Sequence, residues 1–272
     1  EYVDQDGISN HAKASTLRTN VGFQTGVWES FQGLLEMQLV NNIGADSFND
    51  QVNGKTQFPI VADPDGAEVN QLWVSWAGLP QTEVKLGRQA INLDNQRFVG
   101  TVNWRQNDQT FDALMLTNKT IENLVLNYSF VGNVNRINGG DHPSGDLDTL
   151  THILHGDYKV ADWLDIVGYG YLMDIHHSAT NSTATYGLRL TGTTPINDAW
   201  SFMYEAEGAT QRDYANNTAD YSETYYHLLP GVKGHGFTIQ GGYEVLGGDG
   251  TAAFRTPLAT LHKFNGWADK FL

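Results

Sequence analysis

Residues 83–111 read EVKLGRQAINLDNQRFVGTVNWRQNDQTF, and their reading decides the fold. The stretch opens as an alternating strand, with Val84 and Leu86 apolar and Glu83, Lys85 and Gly87 between them. It becomes a long polar connection carrying Arg88, Arg97 and Arg105, and re-enters an alternating run at Phe111. Three guanidiniums within 18 residues are a concentration in a chain of 272 residues with only 16 Lys+Arg. A guanidinium is always charged and offers a rigid fork of donors to oxygen acceptors. A β-protein with a dry interior would spread such groups over its surface. A barrel with a wet interior can gather them along a strand and an inward-folded loop. The segment is therefore expected to line a pore, with the rest of the chain as its wall.

Working outward, the same alternation recurs on both sides. Ser15–Gln24 sets Leu17, Val21 and Phe23 against Arg18, Asn20 and Gln24. Phe31–Val40 sets Leu35, Met37 and Leu39 against Gln32, Glu36 and Gln38; a glutamate between two glutamines suits a water-filled side and is costly in a dry one. Further strands are expected at Glu68–Trp76, Leu124–Phe130, Leu150–Tyr158, Leu164–Met173, 185–191, 200–207, Thr224–Val232 and Phe237–Val245. With those at Glu83 and Phe111 this gives about twelve strands, joined by tight turns and long loops in alternation, the signature of an outer-membrane barrel. Trp28, Trp76, Trp163, Trp200 and Phe237 sit beside the tight turns, at one level, where aromatic rings anchor a barrel in headgroups. From Leu246 to Leu272 no strand is legible, and Asp269–Leu272 lacks the alternating, aromatic-terminated strand that closes such barrels.

Composition agrees. Tyr (12), Phe (12) and Trp (7) favour strands, and 29 Gly favour turns and close strand approach. Mean hydropathy is negative, but barrel strands average apolar with polar residues, so that average does not decide against a membrane. No apolar run approaches the roughly 20 residues of a membrane helix. The absence of cysteine removes disulfides, thiolate chemistry and Cys-based zinc sites. A net charge of −15 argues against nucleic acid as a partner.

VKLGRQAINLDNQRFVGTVNWRQNDQTFDA, YEVLGGDG and AFRTPLATLHKFNGWADKFL resemble the alginate-export-type family of Gram-negative outer-membrane porins, and the likeness runs over most of the chain. The resemblance implies an all-β, antiparallel transmembrane barrel in the outer membrane, in which family members carry about sixteen to eighteen strands. The chain is accordingly expected to form a single barrel domain over 1–272, part of a longer barrel whose strands continue beyond it.

The candidate constriction is basic: Lys85, Arg88, Arg97 and Arg105, joined by Arg18 and Arg189, since rings of basic side chains select anions. The bland alternative is that these arginines pair with Glu83, Asp94 and Asp108 and brace the loop. Arg88 falls in phase with Val84 and Leu86, toward lipid; a bulge at Gly87 or a position above the hydrocarbon would reconcile this. Glu36, Glu205, Glu207 and Glu244 are expected on the lumen side as an acidic patch facing the basic one. Glu205 and Glu207, two apart on one strand face, are read as lumen acids and not as a glycosidase pair. His176–His177 and His152/His155 have poor ligand spacing, and the acidic loops at Asp63/Asp65 and Asp141–Asp148 read first as turns, so no metal site is expected. No nucleophile elbow, phosphate loop or dinucleotide fingerprint is present. The expected function is a channel for passive diffusion of small hydrophilic solutes, anionic or sugar-like, with no cofactor and no catalysis. Its expected partners are outer-membrane lipid, lipopolysaccharide and those solutes. The competing classes are a soluble β-rich carbohydrate-binding domain and an outer-membrane protein acting through its external loops. The oligomeric state is not legible.

Overall fold

A computed structural model describes residues 1–264; the closing strand sought at Asp269–Leu272 lies outside the described residues. After the two-residue β1 (Tyr2–Val3) the strands are β2 (Ala12–Gln24), β3 (Phe31–Ser47), β4 (Gly66–Leu79), β5 (Thr82–Gln89) and β6 (Thr110–Asn118). They continue as β7 (Leu124–Asn135), β8 (Asp146–Ala161), β9 (Leu164–Ile175), β10 (Thr183–Pro195) and β11 (Trp200–Asp213). Last come β12 (Ser222–Leu228), β13 (Gly231–Gly234), β14 (Phe237–Gln240) and β15 (Tyr243–Leu246). Among the described residues these fifteen form one sheet in which each pairing is antiparallel. β12–β13 and β14–β15 are two long strands, each interrupted once, at Leu229–Pro230 and at Gly241–Gly242. Pro230 has no N–H to give to a ladder. Apart from β1, the sheet thus holds the twelve strands read from alternation. β15 does not pair with β1 among the described residues, so the sheet stays open there.

The outer face is apolar and exposed: Leu35, Leu126, Phe202 and Ile239 are 45%, 43%, 36% and 65% accessible. These side chains do not pack into a shared interior, which excludes an ordinary soluble sandwich. The opposite face is covered by two segments, residues 90–109 and 247–260. Ile91, Leu93, Phe98 and Val99 of the first join one cluster with Phe111, Val131, Ile153, Tyr169, Tyr171, Tyr225, Phe254 and Leu258. Phe98 is its centre, with ring centroids 5.3 Å from Tyr169, 5.3 Å from Tyr225 and 5.9 Å from Phe254. Burying such a ring contributes about 1.5–3 kcal/mol. The two segments are also joined to each other: Gly100 N–H donates to Leu258 O at 3.0 Å.

The far end of residues 90–109 reaches the other end of the sheet. Gln106 Nε2 donates to Thr16 Oγ1 on β2 at 2.8 Å, and Gln38 Nε2 on β3 donates to Asn107 Oδ1 at 2.9 Å. At the near end Arg97 reaches Glu244 on β15. One twenty-residue segment can touch both β2 and β15 only if the sheet curls around it. The wall is therefore concave toward this segment.

Candidate lumen constriction

One rung of the sheet gathers several ionisable side chains on the concave face. Cross-strand register pairs Asp157 on β8 with Val167 on β9, Val167 with Arg189 on β10, Arg189 with Glu207 on β11, Glu207 with His227 on β12, and His227 with Glu244 on β15. Residues directly opposite in an antiparallel ladder have Cβ atoms about 4.5–5.5 Å apart, so these groups meet. Glu205 lies two residues before Glu207 on the same face.

The inward segment supplies the partners. Arg189 Nη2 donates to Glu205 Oε2 at 2.8 Å, and its Nη1 lies 3.7 Å from Asp94 Oδ1. Asn95 Nδ2 donates to Glu205 Oε1 at 2.9 Å. His155 Nε2 lies 3.1 Å from Asp94 Oδ2. Arg97 Nε donates to Glu244 Oε1 at 2.7 Å, and the same oxygen accepts from Tyr225 Oη at 2.9 Å. Arg97 is 2% exposed, its guanidinium facing the Phe264 ring at 5.0 Å. Tyr169 Oη donates to Glu207 Oε1 at 2.7 Å.

A second ionic group fixes the far end of the segment. Arg18 Nη1 donates to Asp108 Oδ1 at 2.6 Å. Asn70 Nδ2 bridges Glu36 Oε1 and Asp108 Oδ2 at 2.7 and 3.3 Å. Arg105 Nη1 donates to Glu1 Oε2 at 3.0 Å, lies 3.8 Å from Asp63 Oδ2, and its guanidinium covers the Trp104 ring at 4.0 Å. Lys85 stands apart over the Trp73 ring at 4.6 Å, with no ion pair among the described residues.

Arg88 is a correction to its expected place in this set. Val74↔Leu86, Trp73↔Gly87 and Leu72↔Arg88 follow without a register shift, so no bulge occurs at Gly87. Gln89 is buried on the concave side, and Arg88 keeps the outer face of Leu86 and Leu72. It pairs there with Asp112 through Nε at 2.8 Å and Nη2 at 3.1 Å. Both residues lie at the long-loop ends of their strands. Gly87 is required for another reason: its φ is +128°, and a Cβ would stand 2.2 Å from Leu72 O.

Arg18, Arg97, Arg105 and Arg189 are thus each paired with carboxylates and brace the inward segment. The open space beside Arg189 is lined chiefly by carboxylates and neutral groups. A cavity of about 450 Å³ is lined by Asn92, Asp94, Asn95, Asp157, Asp165 and Arg189, among others. A second, of about 320 Å³, shares Asp165, Arg189 and Thr191 and continues past Asp162 toward the tight turns. Among the described residues their lining holds more carboxylates than cations.

The histidines weighed in the sequence do not assemble. His152 Nδ1 meets Tyr128 Oη at 2.9 Å, while His155 faces the other way to Asp94. In the loop after β9, His176 Nδ1 lies 3.0 Å from Asp148 Oδ2, and this hydrogen bond raises its pKa. Burial lowers that of Arg136 in the loop after β7. The residues missed in the sequence are His227, Tyr169, Tyr225, Asp157 and Asp165. Their signal was the register, which alternation alone does not supply.

A family model described as alginate export matches residues 29–245. The structure is similar to that of Pseudomonas aeruginosa OccK9 (OpdG), with a TM-score of 0.70 at 15% identity, covering 90% of this chain and 63% of that one. For Acinetobacter baumannii OccAB2 the values are 0.68, 17%, 90% and 65%. For the outer membrane protein OpdK of Pseudomonas aeruginosa they are 0.68, 13%, 89% and 63%. At these identities the likeness is one of fold, and the chain spans less than two thirds of each of these proteins. No curated protein sequence matches the chain.

Proposed function

The chain belongs to the alginate export family of the Gram-negative outer membrane, a transport and not an enzyme family, and from that membership we propose that it forms the wall and constriction of a passive channel for small hydrophilic solutes. The observation carrying this reading is the opposition of the two faces. The outer one is apolar and exposed, while the inner one bears buried ion pairs and a segment folded across it. Lipid outside and water inside are the surroundings in which both faces are satisfied.

The solute preference follows from which charges remain unpaired. Arg18, Arg97, Arg105 and Arg189 are each held by a carboxylate, whereas Asp157 and Asp165 border open space, with Lys85 set apart from them over Trp73. Fixed charge in a narrow, low-dielectric passage favours the opposite ion. The channel is therefore proposed to favour cations and neutral, sugar-like solutes over anions, in place of the anion preference drawn from the arginines alone. A uronate polymer, which requires a basic lumen, fits poorly. At the loop end the outer face turns polar at Arg88, Asp112 and Asp148, as contact with lipid and lipopolysaccharide headgroups requires.

Reconstitution of the full-length protein in planar bilayers under a KCl gradient tests the reading. The expected result is discrete conductance steps with a cation-selective reversal potential that moves toward zero in Asp157→Asn/Asp165→Asn. Absence of channels refutes the pore; an anion-selective potential refutes the charge assignment.

A further inference from the structure

We propose that Glu205, Glu207 and His227 form a binding site for one divalent transition-metal ion on the lumen wall. One oxygen or nitrogen from each lies within 4.8 Å of the others. Their placement follows from the ladder, since Glu207 and His227 are a directly opposed pair across β11 and β12 and Glu205 is the next inward residue of β11.

Two buried atoms point to a ligand. Glu207 is 6% exposed, and its Oε1 is taken by Tyr169, yet its Oε2 has no hydrogen-bond partner, the nearest cation being Arg189 Nε at 3.9 Å. His227 Nδ1 is likewise buried without a well-formed hydrogen bond, although Glu205 Oε1 stands 3.2 Å away. A buried polar atom left unsatisfied is costly, and a bare carboxylate oxygen more so. A dication between these atoms would satisfy both.

The charge sum agrees. Asp94, Glu205 and Glu207 carry three negative charges around the single guanidinium of Arg189. A dication with a neutral His227 brings this group to neutrality, and Arg189 keeps Asp94 as its partner. Two carboxylates and one imidazole are a borderline set that suits Zn²⁺, Co²⁺ or Mn²⁺ better than the all-oxygen cations. Zinc bonds of about 2.0–2.2 Å put ligand atoms roughly 3–3.5 Å apart. Glu205 Oε1 and His227 Nδ1 already stand at 3.2 Å; Glu207 Oε2 has to approach, and Glu205 Oε1 has to exchange Asn95 Nδ2 and Arg189 Nε for the ion. Tyr169 holds the other oxygen of Glu207 and acts as a positioning residue.

The competing arrangement is an ion pair of protonated His227 with Glu205, with no metal. Titration of the chelator-stripped, detergent-solubilised protein with Co²⁺ alone, followed by its visible absorption, separates the two. Zn²⁺ is measured by competition with a chromophoric chelator. One equivalent is expected to bind to the wild type and to His176→Gln/His177→Gln. Glu207→Gln and His227→Gln are each expected to lose it, and Tyr169→Phe to weaken it by about 10–100-fold. Unchanged heat-modifiable migration shows that a variant is folded. Absence of a stoichiometric site in the wild type, or equal binding by folded Glu207→Gln and His227→Gln, overturns the proposal. The readout is optical and needs no pore, so its failure is distinct from failure of the channel reading.

Discussion

Arg97 shows what a single residue does here. Its guanidinium is buried against Glu244, Thr256 and Phe264, so it ties the inward segment to the end of the sheet. Removing one partner of a buried pair leaves the other charge uncompensated, at about 3–5 kcal/mol. Arg97→Ala is therefore expected to loosen residues 90–109, read as larger and noisier conductance and faster proteolysis within that segment. Arg88→Ala, on the outer face, is expected to leave conductance and ion preference unchanged. Equal effects of the two substitutions would contradict this division of roles. Both arginines are plain in the sequence, but their opposite assignments are not. Arg88 was in phase with Leu86 all along; only the unbroken ladder through Gly87 excludes a bulge that would turn it inward.

At the scale of elements, the segment after β5 is folded across the concave face and shares an apolar cluster with the wall. Phe98 sits among Tyr169, Tyr171, Tyr225 and Phe254, and the segment's other contacts are mostly polar. Phe98→Ala removes about 3–5 kcal/mol of packing. The expected outcome is a wider pore with the wall intact, seen as raised conductance at unchanged heat-modifiable migration. Loss of the folded band would mean that the segment also holds the wall together. Strand cores were legible in the sequence, but strand ends were not. The apolar alternation of β3 stops near Val40, while its ladder runs on to Ser47. Beyond the hydrocarbon both faces meet water, so hydrogen bonding continues without any hydrophobic pattern to report it.

For the whole molecule, the decisive property is that one face of the wall is apolar and exposed while the other is polar and covered. Leu154 is exposed in the middle of β8, and Asn127 faces the cavity from β7. Arginine at a lipid-facing midplane position costs about 2–4 kcal/mol, whereas a lumen position tolerates it. Leu154→Arg is expected to lower stability in denaturant titrations by that amount. Asn127→Arg is expected to spare stability and shift the reversal potential toward anions. The reverse pattern would exchange the two faces and end the membrane reading.

Alternation, loop lengths and the aromatic level determined the class of fold, the twelve wall strands and the segment that turns inward, because side-chain period and turn spacing are local properties of the chain. The partner of each charge was decided by tertiary structure. The rung from Asp157 to Glu244 joins residues almost ninety positions apart, and the carboxylates that hold Arg97 and Arg189 stand far from them in the chain. Charge acts through space, and the sequence orders residues only along the chain.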